Sequence, residues 1–572
     1  MSYFSYKVRN VKKPPLAFSL AKLNMLLGKF FGLALLSAVW AESPKVKIGE
    51  TTLIGRDVTL RHQDFFGAIP YAQPPTGELR LKRPVLKTTL DVDQFDARNF
   101  GLACPQPGLQ PDLMSEDCLT INIFRPSGLP STARLPVLFW TYGGGFQIGS
   151  SSLYNGSAIV AHSVARGTPL IYVNFNYRLG PLGFPQGKEA DGRGALNLAI
   201  RDQVAALEWV QVNIGHFGGD RTKVTVFGQS AGSIMTSVLF LGDKLEKLAR
   251  AAIFESGHAA SALTYHADRR EVDWQNFVHA VPSCSSFATS TDTFSCLQTA
   301  GSAEIIQGLL TAISEAPEVF GFDPTLDGLD GLYPDLPSIL VGKGQFARIP
   351  FIAGTVLDEG TLFTPRDIAS EDTFRSLLTA NFSPPIVSPQ SLGGALDTLF
   401  QLYPNIPALG SPFNTGNETF GLSSVFKQAS AMTGDVSFLS QRRFWSEAGS
   451  RAGVKNFAYL FTEPDPTAPP EVGVGHAFEI PYVYGVVQNP SKSAARLSAI
   501  MIDYWVSFAT SLDPNDGRGF PRPRWPQYTP NNRVLMQLNG ANLTVIPDNF
   551  REKQTSFINS SPLTWHHRRF HV

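Results

Sequence analysis

An α/β fold, with a mostly parallel central sheet flanked by helices, is what this 572-residue sequence predicts. Short apolar, β-rich runs recur along the chain, and several lack any charged residue, as strands buried on both faces do. A segment of helical periodicity separates two of them, as crossovers between parallel strands require. Several of the runs end in glycine, serine or acidic residues, where open α/β sheets collect their ligands.

In chain order, residues 46 to 60 alternate apolar and polar, as a small β-hairpin would. From Leu135 the chain reads LPVLFWTYGGGF, an uncharged strand ending in three glycines. PLIYVNFNYR, Pro169 to Arg178, is the next strand-like run. Asn197 to Ile214 has helical spacing, with Val204, Leu207, Val210 and Ile214 on one face. VTVF, Val224 to Phe227, is a short buried strand, followed by GQSAG and a small-residue helix start from Ala231. RAAIFESG and RIPFIAGT repeat the strand theme further on.

The 48 basic and 48 acidic residues cancel, so nothing favours nucleic acid or an anionic membrane as partner. No low-complexity linker, charge block or repeat divides the chain. One large domain over 42–572, carrying large loop and helical insertions, is therefore expected.

Lys22 and Lys29 precede an apolar run from Phe30 to Ala41, followed by the polar Glu42-Ser43-Pro44. The run is too short to span a bilayer comfortably, and Val39 and Ala41 suit a cleavage site. Residues 1–41 are thus expected to be a removed signal peptide, with Met25 as an alternative start. The expected protein is secreted and has no stable membrane anchor. Cys104, Cys118, Cys284 and Cys296 agree with export, since sequential pairing would close two short loops worth about 3 kcal/mol each. Sequons stand at Asn155, Asn381, Asn417, Asn542 and Asn559, the second weakened by Pro384 after Ser383.

Gly228-Gln229-Ser230-Ala231-Gly232 matches G-x-S-x-G between a strand and a helix pattern, the setting of a nucleophile elbow. A serine hydroxyl needs a base within hydrogen-bond reach. Of the histidines after Ser230, His258, His266 and His279 precede any suitable acid, and His566, His567 and His571 crowd a basic tail expected to be solvent-exposed. His476, in VGVGHAFEIPYVYG, remains as the base. For the supporting acid, position alone leaves Asp358 and Glu359 open, both just past RIPFIAGT. Oxyanion donors are expected from the N–H of Ala231 and from Gly143-Gly144-Gly145.

These motifs together resemble the type B carboxylesterase family, α/β-hydrolases that include fungal lipases and the cholinesterases. The likeness runs from about Val46 to about Pro530. It rests on FGAIPYAQPPTGELRLKRP, SEDCLTINIF, YGGGF, NYRLGPLGF, NLAIRDQVAALEWVQVNIGHFGGD and VTVFGQSAG, in the family's order. The resemblance implies Glu359 as acid, His476 as base, and Gly144, Gly145 and Ala231 as oxyanion donors. It also implies Cys104–Cys118 and Cys284–Cys296 disulfides, and structural ion pairs Arg80–Glu116 and Arg178–Asp202.

Two departures bear on substrate. The family usually carries glutamate before the nucleophile, where this chain has Gln229. Only thirteen residues separate Cys104 from Cys118, without tryptophan, too few for the long apolar lid of lipase-like members. The expected activity is hydrolysis of uncharged carboxylic esters, small-molecule substrates, through an acyl-enzyme. A lipase acting on longer acylglycerols is the near alternative, and a non-catalytic cholinesterase-like binding module the distant one. No clustered His/Cys ligand set and no dinucleotide fingerprint points to a metal or organic cofactor, and oligomeric state is not legible.

Overall fold

The computed structural model describes residues 43–316, 318 and 320–567. The expected signal peptide, 1–41, and His571 lie outside the described residues.

The expected hairpin divides between two sheets. Lys45–Ile48 and Thr51–Ile54 pair antiparallel and, with Gln94–Asp96, make a small three-stranded sheet. Arg56–Val58 instead begins the main sheet.

Among the described residues that sheet has eleven strands. They are β1 (Arg56–Val58), β2 (Gln63–Pro70), β3 (Thr120–Pro126), β4 (Leu135–Thr141), β5 (Ile171–Phe175) and β6 (Gly219–Gln229). β7 (Ala251–Glu255), β8 (Phe351–Val356), β9 (Asn456–Phe461), β10 (Val534–Leu538) and β11 (Thr544–Pro547) complete it. Their spatial order is β1-β2-β3-β5-β4-β6-β7-β8-β9-β10-β11. From β5 to β10 every neighbouring pair is parallel. The outer pairs β1/β2, β2/β3, β3/β5 and β10/β11 are antiparallel.

Every residue of β5, β7, β8 and β9 is buried, in keeping with their largely apolar sequences. Each large apolar side chain so buried stabilises the fold by about 1.5–3 kcal/mol. Helix α1 (Leu198–Asn213) carries the predicted periodicity, with Val204, Leu207 and Val210 buried and Ile214 continuing into a following turn. Helix α2 (Ala231–Phe240) leaves the end of β6 and is buried along its whole length. A satellite core under the helical insertion gathers Phe374, Leu396, Phe426 and Met432 with Ile558 and Trp565.

That satellite core overturns one expectation. The C-terminal tail is not solvent-exposed where it is described: Trp565 and His567 are fully buried and His566 nearly so. The His566 carbonyl accepts from the Thr264 N–H at 2.9 Å, and His567 bridges to Thr264. Burial pushes both imidazoles down to about 3. Apolar Trp565 in the satellite core draws its neighbours inward, an effect the basic composition of the tail conceals.

Cys104 is bonded to Cys118 and Cys284 to Cys296, with Cα–Cα distances of 5.1 and 5.7 Å. Arg80 grips Glu116 at 2.6 and 2.8 Å and donates to the Ala300 carbonyl, tying the two disulfide regions together. Arg178 holds Asp202 at 2.7 and 2.9 Å. Removing one partner of either buried pair would strand a charge, at a cost of about 3–5 kcal/mol.

Candidate active site

Ser230 stands between the end of β6 and the start of α2. Its backbone is strained, at φ 53° and ψ −126°, and is held there by its N–H donating to the Glu255 carbonyl at 2.9 Å. Helix α2 leaves so close to β4 that a Cβ on Gly232 would lie 2.1 Å from the Thr141 carbonyl oxygen. No side chain fits there, which explains the second glycine of the motif. Ser230 is partly exposed, lifted to the rim of the sheet.

His476 approaches from the loop after β9. Its Nδ1 is 2.5 Å from Glu359 Oε2, and both side chains are more than nine-tenths buried. Glu359 follows β8 directly, and its other oxygen accepts from the Val356 N–H at 2.9 Å. The carboxylate is thereby clamped at both oxygens. Phe363 and Phe438 wall the imidazole, with ring centroids 5.0 and 4.8 Å away.

Asp358 and Glu359 take different work. Asp358 accepts from Ser411 Oγ and from the N–H groups of Phe413 and Val474, all at 2.8 Å. Its own N–H donates to the Val474 carbonyl at 3.0 Å. Asp358 thus latches the histidine loop to the end of β8, while Glu359 faces the ring. The latch lay outside the sequence reading, because its partners are more than fifty residues away.

The glycine loop after β4 lies against the serine. Gly144 adopts φ +112°, and a Cβ there would meet the Ile148 carbonyl oxygen at 2.1 Å. Among the described residues the N–H groups of Gly144, Gly145 and Ala231 donate to no carbonyl or side chain, so they are available to a developing oxyanion. The Phe320 ring packs on Gly145. Beside these rings opens a cavity of about 280 Å³, walled by Phe320, Phe363, Phe438 and Leu263. Its polar end is ion-paired, Arg270 to Glu318 at 2.9 Å.

Close to Ser230 and Glu359 lie two acids that sequence reasoning did not single out, Glu255 and Glu479. Burial pushes the Glu255 carboxyl up to about 8, against the opposing hydrogen bond from Trp505 Nε1 at 2.6 Å. Burial, with Glu255 and Glu359 nearby, drives Glu479 well above the ordinary carboxylate range. Glu255 holds its proton in the fold at pH values where the unfolded chain has lost it. Its contribution to stability is therefore fullest below about 4.5 and declines as pH rises toward about 8. Glu255→Gln keeps an acceptor for Trp505 and removes the ionisation. The variant is expected to melt on the order of 2 °C higher at pH 8, with the gain vanishing near pH 4. Thermal melts across that range check it, and a difference independent of pH would refute the assignment.

The sheet, the strained strand-to-helix serine and the clamped Glu–His pair define an α/β-hydrolase. The carboxylesterase family model matches residues 42–558, and the chain belongs to that family, the type B carboxylesterase/lipase group of carboxylic ester hydrolases. Among its relatives, the secreted triacylglycerol lipase LIP1 of Gibberella zeae is 33% identical over 86% of this chain and 87% of its own. Lipase 2 of Geotrichum candidum is 31% identical, covering 90% of this chain and 95% of its own. Among solved structures, Aspergillus niger EstA superposes with a TM-score of 0.79 at 26% identity, covering 92% of this chain and 99% of its own. A PNB esterase does so with 0.72 at 28% identity, covering 90% and 100%.

Proposed function

We propose that this protein is a secreted serine carboxylesterase that hydrolyses uncharged carboxylic esters through an acyl-enzyme. The Ser230 hydroxyl attacks the ester carbonyl as His476 Nε2 takes its proton, and the alkoxide that forms is met by the N–H groups of Gly144, Gly145 and Ala231. His476 returns the proton to the departing alcohol, and water repeats the sequence to free the acid. Glu359 keeps the ring in the tautomer with hydrogen on Nδ1 and stabilises the imidazolium. The observation that carries this reading is the Glu359–His476 pair at 2.5 Å, whose ring reaches the elbow at Gln229, the residue before the strained Ser230.

The apolar cavity, its ion-paired far end and the neutral Gln229 support an uncharged substrate. The segment from Cys104 to Cys118 supports an esterase over a lidded lipase. It is closed by its disulfide and pinned to the loop beyond Gly145, Gln106 exchanging two 2.7 Å hydrogen bonds with Gly149. The names of the fungal relatives favour the second reading, a lipase for longer acylglycerols. Comparing p-nitrophenyl acetate through octanoate with emulsified long-chain triacylglycerol separates the two. Highest kcat/KM on dissolved esters, with no jump in rate at the emulsion surface, is expected. A jump would overturn the esterase reading.

Export through residues 1–41, leaving one catalytic domain from residue 42, is part of the same proposal. The two disulfides and the secreted relatives support it. Among the described residues no helix is long and apolar enough to cross a membrane. Of the glycosylation candidates, Asn155, Asn381, Asn417 and Asn542 are exposed. Asn559 is partly buried, with the nitrogen a glycan would need donating to the Ser440 carbonyl at 3.0 Å.

A further inference from the structure

On the triad reading above, the ring nitrogen that must receive the serine proton already has a partner. With Glu359 accepting at Nδ1, the hydrogen of the neutral imidazole sits there and Nε2 carries a lone pair. Gln229 Nε2 stands 3.1 Å from that nitrogen. Only a donor suits a lone pair, and the carboxamide N–H is one. Among the described residues the ring's side-chain hydrogen bonds are thus to Glu359 and Gln229, and the Ser230 hydroxyl is in neither.

We infer that Gln229 is a positioning residue that caps the general base at rest, its carboxamide and the Ser230 hydroxyl competing for one lone pair on His476. Catalysis then begins when the hydroxyl displaces the carboxamide. The side chain is well placed for this. Gln229 is 3% exposed, the last residue of β6, and stands in register with Glu255 of β7. Its Oε1 lies against the glycine loop: a Cβ on Gly143 would be 2.8 Å from Gln229 Oε1 and 2.8 Å from Ser230 Cβ. The carboxamide therefore lies between the base, the nucleophile and the glycine loop, where it and the hydroxyl meet the same ring nitrogen.

The ionisable groups around the ring set the sign of the effect. Glu359 faces it from the end of β8. Glu479 lies three residues on in its own segment; burial, with Glu255 and Glu359 nearby, raises its carboxyl well above the ordinary range, and burial pushes Glu255 on β7 up to about 8. The rings of Phe363 and Phe438 also pack against it. A donor on Nε2 favours the neutral imidazole, so Gln229 opposes protonation of the base. A glutamate in its place would accept from the imidazolium and favour it.

The test is the pH profile of kcat/KM on p-nitrophenyl acetate, together with the rate at which an organophosphonate labels Ser230. In Gln229→Met, of similar size without a donor, the acid limb is expected to move up by about 0.5–1 pH unit. In Gln229→Glu the limb moves further, by more than about one unit, with activity lost near pH 6 and regained toward pH 9. Gln229→Asn, too short to reach the ring, should reproduce the Met shift should Met fail to fold. A limb that stays in place in these variants, or a rate lowered by one factor at every pH, would overturn the inference. Ser230→Ala separates this failure from that of the triad reading: if wild-type activity depends on Ser230 and the limb does not move, the capping role alone falls.

Discussion

Ser230→Ala is expected to lower kcat on short p-nitrophenyl esters by about 10⁴–10⁶-fold while the melting temperature stays within about 1 °C. The loss is large because, on the proposed mechanism, Ser230 is the hydroxyl on the elbow backbone that attacks the ester. Stability is spared because the strained turn is held by main-chain contacts, the Ser230 N–H to Glu255 and the Ile234 N–H to the Ser230 carbonyl, both 2.9 Å. Organophosphonate should label the wild type and leave the variant unlabelled. An alanine variant that hydrolyses esters at the wild-type rate would end the proposed mechanism.

Glu359→Gln carries the second large effect, an expected loss of about 10³–10⁴-fold in kcat with little change in KM. The reason is specific to this site. The Val356 N–H donates to one oxygen of Glu359 and the imidazole to the other. In the glutamine variant the amide oxygen must remain on Val356, since two N–H groups cannot face each other there. The amide nitrogen then turns to His476 Nδ1 and demands an acceptor, which moves the ring hydrogen to Nε2. A ring protonated there cannot take the serine proton. Steady-state kinetics with thermal melts check this, and a variant within tenfold of wild type would show that Glu359 does not set the tautomer.

The same clamp explains why the acid was ambiguous along the chain. Asp358 and Glu359 are adjacent, equally acidic and both just past a strand. What separates them is the Val474 N–H, more than a hundred residues on, which takes Asp358 for the latch and leaves Glu359 to the ring. The elbow, by contrast, was readable as a motif. A buried strand, two glycines and a helix start are local requirements, and their geometry follows from steric exclusion at Gly232 and strain at Ser230. His476 was reached by elimination, and one step of that elimination failed, since His566 and His567 are buried. His566 and His567 are nonetheless occupied elsewhere, with Gln441 and Ser338. Gln229 was visible as a departure in charge, but its contact with the base was not.

Patterns that arise within ten or so residues were therefore open to reading from the chain: which stretches are buried strands, where a turn must be tight, which hydroxyl is exposed on it. Backbone sterics and side-chain alternation act over that distance. Which of two acids meets the imidazole, what shares its free nitrogen, and whether a basic tail is wet or buried were set by folding. Those outcomes depend on contacts between segments brought together by the sheet, and a hydrogen bond carries no trace in the sequence between its two ends.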